Sequence, residues 1–278
     1  MRQDIRLIVT DLDGTLLTKA DRIHPENILA LQRCRQKGIK VCPVTARNWR
    51  EFLPVLRQME FDEIAALNNG ASMVGLPSGK IRENIVFSTE QLTGLVESIL
   101  TMPISYLCVM GMEYNHCLEG KGAPAWFHFY TQEEKDRFGI RPFADEKELL
   151  RESREVVRIN CGLKKGHEQQ LRKALAKLED VYKCKTMFME EETGNSIEIS
   201  PERADKAHAL EKLCRYFGVE ENQVLAFGDN ENDMEMLRRA GISVAMGNAN
   251  RAVKNSATMM TDTNKQGGVA AALERLGL

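Results

Sequence analysis

Asp11 and Asp13 stand two residues apart in "VTDLDGTLL", directly after the apolar run Leu7 to Val9 and just before Gly14. In an extended segment this spacing turns both side chains the same way, and two carboxylates a few ångströms apart resist joint ionisation unless a cation is bound. One chemistry that uses such a pair is covalent phosphoryl transfer. One carboxylate attacks phosphorus; its neighbour protonates the leaving oxygen and then deprotonates the water that cleaves the acyl phosphate. The reaction needs a magnesium ion on hard oxygens, for which Asp229, Asp233 and Asn232 of "GDNENDM" are suitable donors. It also needs a hydroxyl for the phosphate oxygens, for which Thr45 is placed, and a fixed cation for the developing charge, for which Lys206 is placed.

The elements around these residues have a consistent rhythm. The first 70 residues alternate short apolar runs with amphipathic stretches, the pattern of βαβ units and a parallel sheet. "RLIVT" reads as a strand and "HPENILALQRCRQKG" as a helix, with Pro25 near its start, Ile28, Leu29, Leu31 and Cys34 on its apolar face, and Gly38 as its stop. "IKVCPVT" and "EIAALNNG" read as strands flanking the helix "NWREFLPVLRQME", with a kink expected at Pro54. Beyond residue 83 the texture changes: four of the five tyrosines, Trp126 and charge-rich stretches such as "ADEKELLRESRE" fall before residue 196. The rhythm then resumes through "KAHALEKLCRYFG", "QVLAFGDN" and "GGVAAALERLG". The expected architecture is an α/β doubly wound, Rossmann-like parallel-sheet core made of residues 1–83 and 197–278, interrupted by an α/β domain at 84–196. In such a sheet ligands bind beyond the carboxyl ends of the strands, where Asp11, Asp13, Thr45 and Asp229 all fall.

Composition narrows the function classes. The 278 residues are 43% hydrophobic and 28% charged with a formal net charge of −2, so no basic footprint favours nucleic acid or an anionic membrane. No apolar run approaches the roughly 18 residues of a bilayer span, and the start of the chain does not read as a signal peptide. The seven cysteines are scattered without a C-x-x-C pair, which reads as reduced thiols in a cytoplasmic protein. The five histidines show no ligand spacing.

Together "DLDGT", Thr45 in "VTAR", Lys206 in "SPERADKAHAL" and "GDNENDM" resemble the four motifs of the haloacid dehalogenase (HAD) superfamily of phosphatases. The chain resembles most the Cof-type members, whose large α/β (type IIB) cap is inserted ahead of the lysine motif; "NNGA", "IEISP" and "QGGVAAAL" extend the likeness. The resemblance implies a Mg2+-dependent phosphatase of a small phosphorylated metabolite, a sugar phosphate first, with an aspartyl-phosphate intermediate. By the same resemblance Asp11 is the nucleophile, and Asp13 is the general acid/base whose backbone carbonyl also ligates the metal. Asp229 is the acidic metal ligand, and Thr45, Lys206 and Asn232 take the phosphate-binding positions, with Asn232 and Asp233 in the metal loop. Ala46 and Ala207 stand where family members usually or often have glycine, and only a positive φ at Ala46 would matter. Pro43 removes a ladder donor on the approach to Thr45.

Each signal alone is ordinary: Asp-x-Asp-Gly suits a turn, Thr45 an N-cap, Lys206 a solvated helix and "GDNEND" a helix cap. Their joint occurrence in order is the argument. A calcium loop starting at Asp11 fails, because its sixth and twelfth positions are Leu16 and Arg22. A phospho-aspartate signalling protein would place its acceptor after the third strand, where "LNNG" stands, and a glycosyltransferase would place Asp-x-Asp after a nucleotide-binding region. A phosphomutase shares the phosphatase mechanism. A small phosphate ester is the expected partner, with the protein a monomer or weak homo-oligomer. Trp126, His128, Tyr130 and Arg158 are candidates for substrate contact and carry no assignment.

Overall fold

A computed structural model of the chain describes residues 4–18, 21–118, 131–164, 168–189 and 195–278. Trp126, His128 and Tyr130 lie outside these residues. The described elements begin with β1 (Leu7–Thr10), α1 (Pro25–Gln36), β2 (Lys40–Pro43), α2 (Trp49–Leu56), β3 (Ile64–Leu67), β4 (Ser72–Gly75), β5 (Lys80–Asn84) and α3 (Thr89–Leu100). They continue with β6 (Ile104–Met110), β7 (Asn115–Leu118), α4 (Gln132–Phe138), β8 (Ile140–Phe143), α5 (Glu146–Glu152), β9 (Arg158–Leu163), α6 (Glu168–Tyr182), β10 (Cys184–Met189) and β11 (Ser196–Pro201). Last come α7 (Lys206–Phe217), β12 (Val224–Gly228), α8 (Met234–Arg239), β13 (Ile242–Ala245), α9 (Arg251–Ser256), β14 (Met259–Met260) and α10 (Gly268–Arg275). Packing divides the chain into two compact units: Met1–Arg47, Glu51–Glu83 and Asp205–Leu278 form one, Asn48–Arg50 and Asn84–Ala204 the other.

In the first unit a parallel sheet runs in the order β14-β13-β12-β1-β2. Chain order moves outward from β1 on one side and from β12 on the other, so strand order reverses between β1 and β12. That reversal opens the crevice in which such sheets bind ligands, and Asp11 and Asp229 follow the two strands that border it. Leu7, Ile8 and Val9 are fully buried, as expected for a parallel strand covered on both faces. Leu7 and Val9 point into a core shared with Leu210 and Leu213 of α7, Met236 and Leu237 of α8 and Val253 of α9. On the other face α1 packs on β2 and on α10. There α1 buries Asn27, Ala30, Leu31 and Cys34, while Leu29, read as part of its apolar face, is 55% exposed. Asn27 wins the inward position because its Oδ1 accepts the Ala270 N–H of α10 at 2.9 Å.

The third strand differs from a simple continuation of the sheet. β3 pairs with β4 in a separate three-stranded sheet, and the isolated bridge Val44–Ala66 reaches it just past the end of β2. Pro43 accounts for this. The Lys40 and Val44 N–H groups donate to Arg6 O and Thr10 O on the β1 side, while Thr45 turns the other way and donates to Ala66 O at 2.9 Å; Pro43 has nothing to donate toward β3. α2 ends at Leu56, two residues past Pro54.

The second unit is a six-stranded sheet in the order β10-β11-β9-β6-β7-β8. Ile159, Cys161 and Leu163 on alternate positions of β9 pack with Leu95, Val96 and Ile99 of α3 and with Leu149 of α5. The other face of β9 carries Arg158, whose Nη1 meets Glu198 Oε2 at 3.2 Å, and Asn160, whose Oδ1 accepts the Tyr106 hydroxyl at 2.6 Å. β11 belongs to this sheet, so the second boundary between the units falls after Ala204 rather than after residue 196. One sequence expectation is wrong here. Cys108 and Cys117 face each other in register on β6 and β7 and are joined as a disulfide, while Cys34, Cys42, Cys161, Cys184 and Cys214 are free and buried. The tight return at Gly111–Tyr114 creates that register, and nothing in the Cys spacing announces it. Among the described residues no helix is long and apolar enough to cross a membrane.

Two glycines separate strain from crowding. Gly38 has φ +85 and open space where a side chain would begin, with nothing among the described residues beyond its chain neighbours within 4 Å of a β-carbon placed there. At Gly70, φ +89, a β-carbon would lie 2.5 Å from Asp205 O and 2.8 Å from Ala209 Cβ. Gly38→Ala should cost about 1 kcal/mol of stability and Gly70→Ala about 2–4 kcal/mol, read as shifts in denaturant midpoint; equal losses would contradict the close approach of the Asn68–Gly70 turn to α7.

Candidate active site

The strand ends at Thr10, and this changes the relation between the two aspartates. Asp11 turns inward and is 5% exposed, its backbone N–H on Phe227 O of β12 at 3.1 Å. Asp13 turns outward with a side chain 58% exposed, held by a two-pronged contact from Arg47, whose Nε and Nη2 reach its two oxygens at 2.7 and 2.5 Å. The expected side-by-side pair is therefore not formed, because extended alternation stops one residue before it is needed. Each carboxylate has its own cation. Arg47 also binds Asp21, and these partners raise its pKa further although burial opposes the charge.

Lys206 is the partner of Asp11. It opens α7, whose N-cap Asp205 accepts the His208 N–H at 2.8 Å, and its side chain is 1% exposed. Its Nζ lies 2.6 Å from Asp11 Oδ1 and 2.6 Å from Asp233 Oδ1. Burial works against the ammonium, but the two carboxylates outweigh it and hold the pKa of Lys206 above the ordinary lysine value. Asp233 is fully buried, and its Oδ2 accepts the backbone N–H groups of Asp229 and Asn230 at 2.9 and 3.0 Å. Both of its oxygens are thereby engaged in shaping the loop after β12.

Asp229 completes the cluster. The Thr15 hydroxyl donates to its Oδ1 at 2.7 Å; Asn248 Nδ2 lies 3.3 Å from its Oδ2 and 2.8 Å from Gly14 O. Gly14 is required by space as well as by its φ of +78, since a β-carbon would meet Asp229 Oδ2 at 2.1 Å. One ligand atom each from Asp11, Asp229 and Asp233 falls within 4.8 Å of the others. Three carboxylates around one ammonium leave an excess of two negative charges, which burial makes costly: desolvation, with Asp233 and Asp229 adding, pushes the Asp11 pKa up against the pull of Lys206. Hard oxygen donors, excess negative charge and spare acceptor capacity on Asp11 and Asp229 suit a divalent cation.

Thr45 is fully buried two residues past β2, its Oγ1 accepting the Arg47 N–H at 3.2 Å and its carbonyl accepting the Asn69 N–H at 2.8 Å. Asn232 joins the same group, its Nδ2 donating to Asn69 Oδ1 at 2.9 Å. Ala46 is not among the residues of positive φ, so glycine is not needed there. The structure thus gathers Asp11, Lys206, Asp229 and Asp233 into one cluster, links Thr45 to Asn232 through Asn69, and sets the Asp13 carboxylate apart on Arg47. Arg47, Thr15, Asn69 and Asn248 were not singled out from sequence. The first three lie inside "VTAR", "DLDGT" and "NNGA", so position in a motif was the available signal; Asn248 in "GNAN" offered only its place after a strand.

Burial, with Asp233 and Asp13 adding and Thr15 and Lys206 opposing, raises the Asp229 pKa from 3.8 to about 6. A raised carboxyl pKa means that the folded state keeps a proton the unfolded chain has lost. Its stabilising contribution is present below pH 3.8 and fades as pH rises to about 6. The metal-free protein should therefore lose of order 2 kcal/mol between about pH 4 and pH 6 that Asp229→Asn retains, and a divalent cation should restore wild-type stability above pH 6. Thermal midpoints with chelator and with cation across this range check it; identical pH profiles for both proteins would contradict it.

The family model of haloacid dehalogenase-like hydrolases matches residues 8–273. The Bacillus subtilis 5-amino-6-(5-phospho-D-ribitylamino)uracil phosphatase YitU is 31% identical over 271 residues, covering 95% of this chain and 94% of its own length. Among solved structures, a haloacid dehalogenase-like hydrolase from Bacteroides thetaiotaomicron superposes with a TM-score of 0.76 at 27% identity, covering 98% of this chain and 99% of that one. The HAD subclass IIB sugar phosphatase BT4131 superposes with a TM-score of 0.75 at 18% identity, covering 98% and 99%, a likeness of fold. With the carboxylate cluster at the strand-order reversal and a match over nearly the whole chain, the protein belongs to the haloacid dehalogenase-like hydrolases, among the phosphatases of that family.

Proposed function

We propose that the protein is a Mg2+-dependent phosphatase that hydrolyses a small phosphorylated metabolite, sugar phosphates and sugar-alcohol phosphates first, through an aspartyl-phosphate on Asp11. The observation that carries this reading is the buried Asp11 carboxylate, fixed 2.6 Å from Lys206 at the crevice between β1 and β12. The substrate class draws support from the phosphoribityl group in the name of the Bacillus subtilis relative. Such metabolites are retained inside cells, which favours a cytoplasmic location.

In the first step an Asp11 oxygen forms a bond to phosphorus as the ester P–O bond breaks, and the leaving oxygen takes a proton from Asp13. In the second, Asp13 takes a proton from water, the water oxygen bonds to phosphorus and the Asp11 O–P bond breaks, releasing inorganic phosphate. Because Arg47 holds the Asp13 carboxylate by both oxygens, each proton transfer includes release from that contact. Lys206 keeps Asp11 oriented and meets the charge that develops on phosphate, while Thr45 and Asn232 donate to its oxygens. Asp11, Asp229 and the main-chain carbonyl of Asp13 would hold Mg2+, which would supply neutralisation of the charge shared by carboxylate and phosphate. Asp233, with both oxygens occupied, shapes the loop and anchors Lys206. The unit ending in Asp205–Leu278 acts as the catalytic core and the insertion, which runs to Ala204, as the substrate-selecting cap.

The wild-type protein should release phosphate from an aryl phosphate only with Mg2+ and should turn over members of a panel of phosphorylated metabolites. Asp11→Asn should lower the rate by about 10³-fold or more. Undiminished turnover in Asp11→Asn would overturn the assignment; a persistent acyl phosphate without turnover would favour a signalling protein, and transfer to a second sugar phosphate a phosphomutase.

A further inference from the structure

Three consecutive residues of the turn after β3 adopt left-handed backbone conformations: Asn68 at φ 51, Asn69 at φ 54 and Gly70 at φ 89. Asparagine tolerates this region better than other residues with a β-carbon, yet two in succession, both nearly fully buried, mark a backbone held in place by its surroundings. The surroundings are specific. The Asn68 N–H donates to Arg47 O at 2.9 Å and the Asn69 N–H to Thr45 O at 2.8 Å. Gly70 lies so close to the Asp205 carbonyl that a β-carbon would come within 2.5 Å, which seats the turn on the start of the helix carrying Lys206. The Asn69 side chain reaches the remaining phosphate-binding candidate, accepting from Asn232 Nδ2 at 2.9 Å. Among the described residues Asn232 Oδ1 is buried without a hydrogen-bond partner, so no bond seen at that end of the amide resists its rotation and Asn69 carries its orientation.

We propose that Asn69 is a positioning residue for phosphate capture: one backbone and one side-chain hydrogen bond fix Thr45 and the Asn232 amide relative to each other before a phosphoryl group arrives. The inference rests on the phosphatase reading above. It assigns a role to a residue outside the set Asp11, Lys206, Asp229 and Asp233. A preset donor pair saves the cost of ordering the amide at each binding event, so its loss weakens binding more than chemistry.

Asn69→Gly keeps the left-handed backbone and removes only the side chain. The measurement is inhibition by inorganic phosphate of Mg2+-supported aryl phosphate hydrolysis, with KM and kcat recorded alongside. Asn69→Gly should raise Ki and KM about tenfold with a smaller change in kcat, Asn232→Ala should do the same, and the double variant should be no worse than either single one. Asn69→Ala, strained at this φ, should lower the thermal midpoint yet raise Ki per folded molecule by the same factor, which separates positioning from stability. An unchanged Ki in Asn69→Gly, or effects that multiply in the double variant, would overturn the proposal while leaving the phosphatase reading intact. A wild-type protein that neither hydrolyses the ester nor binds phosphate would overturn both.

Discussion

A single buried ammonium held between two buried carboxylates sets the terms for this structure. Lys206 stands 2.6 Å from both Asp11 and Asp233, in a place where none of the three charges could be tolerated alone. The arrangement ties the end of β1 to the start of α7 and to the loop after β12, because each contributes one member. It also fixes chemistry: the ammonium keeps one Asp11 oxygen in place, and Asp233 can hold the ammonium only because two backbone N–H groups hold Asp233. The remaining negative charge, centred on Asp11 and Asp229, is what a divalent cation would balance.

The topology explains how residues so far apart in sequence meet. Strand order reverses between β1 and β12, so the first strand of the chain and a strand near its end lie side by side and present their carboxyl ends together. Gly14 then makes the approach of Asp229 possible, since any side chain there would occupy the space of the Asp229 carboxylate. The insertion between the two halves of the first unit is a unit with its own sheet and its own apolar core.

The legible parts of this fold were those set by local pattern. Apolar runs marked β1, β2 and β12, Gly38 marked the end of α1, and the acidic and basic residues at strand and helix ends marked the site. Where partners distant in sequence decide the outcome, local pattern misled or fell silent. Asp13 follows a turn rather than a strand and answers to Arg47, so the alternation rule did not apply to it. Leu29 lost the inward face of α1 to Asn27, which pairs with a helix at the other end of the chain. Cys108 and Cys117 meet through a strand register that no spacing rule contains, and Asn69 sits in a motif whose hydrogen-bond partners lie on different segments of the chain.

The carboxylates around Lys206 would hold a divalent cation on Asp11 and Asp229 while Asp233 stays on the lysine. Crystals grown with Mn2+ at neutral pH would locate the ion directly by its anomalous scattering. The expected result is one peak in contact with the carboxylates of Asp11 and Asp229, with Lys206 still bound to Asp233. A peak on Asp233 with Lys206 displaced, or an ion located away from this cluster, would contradict it.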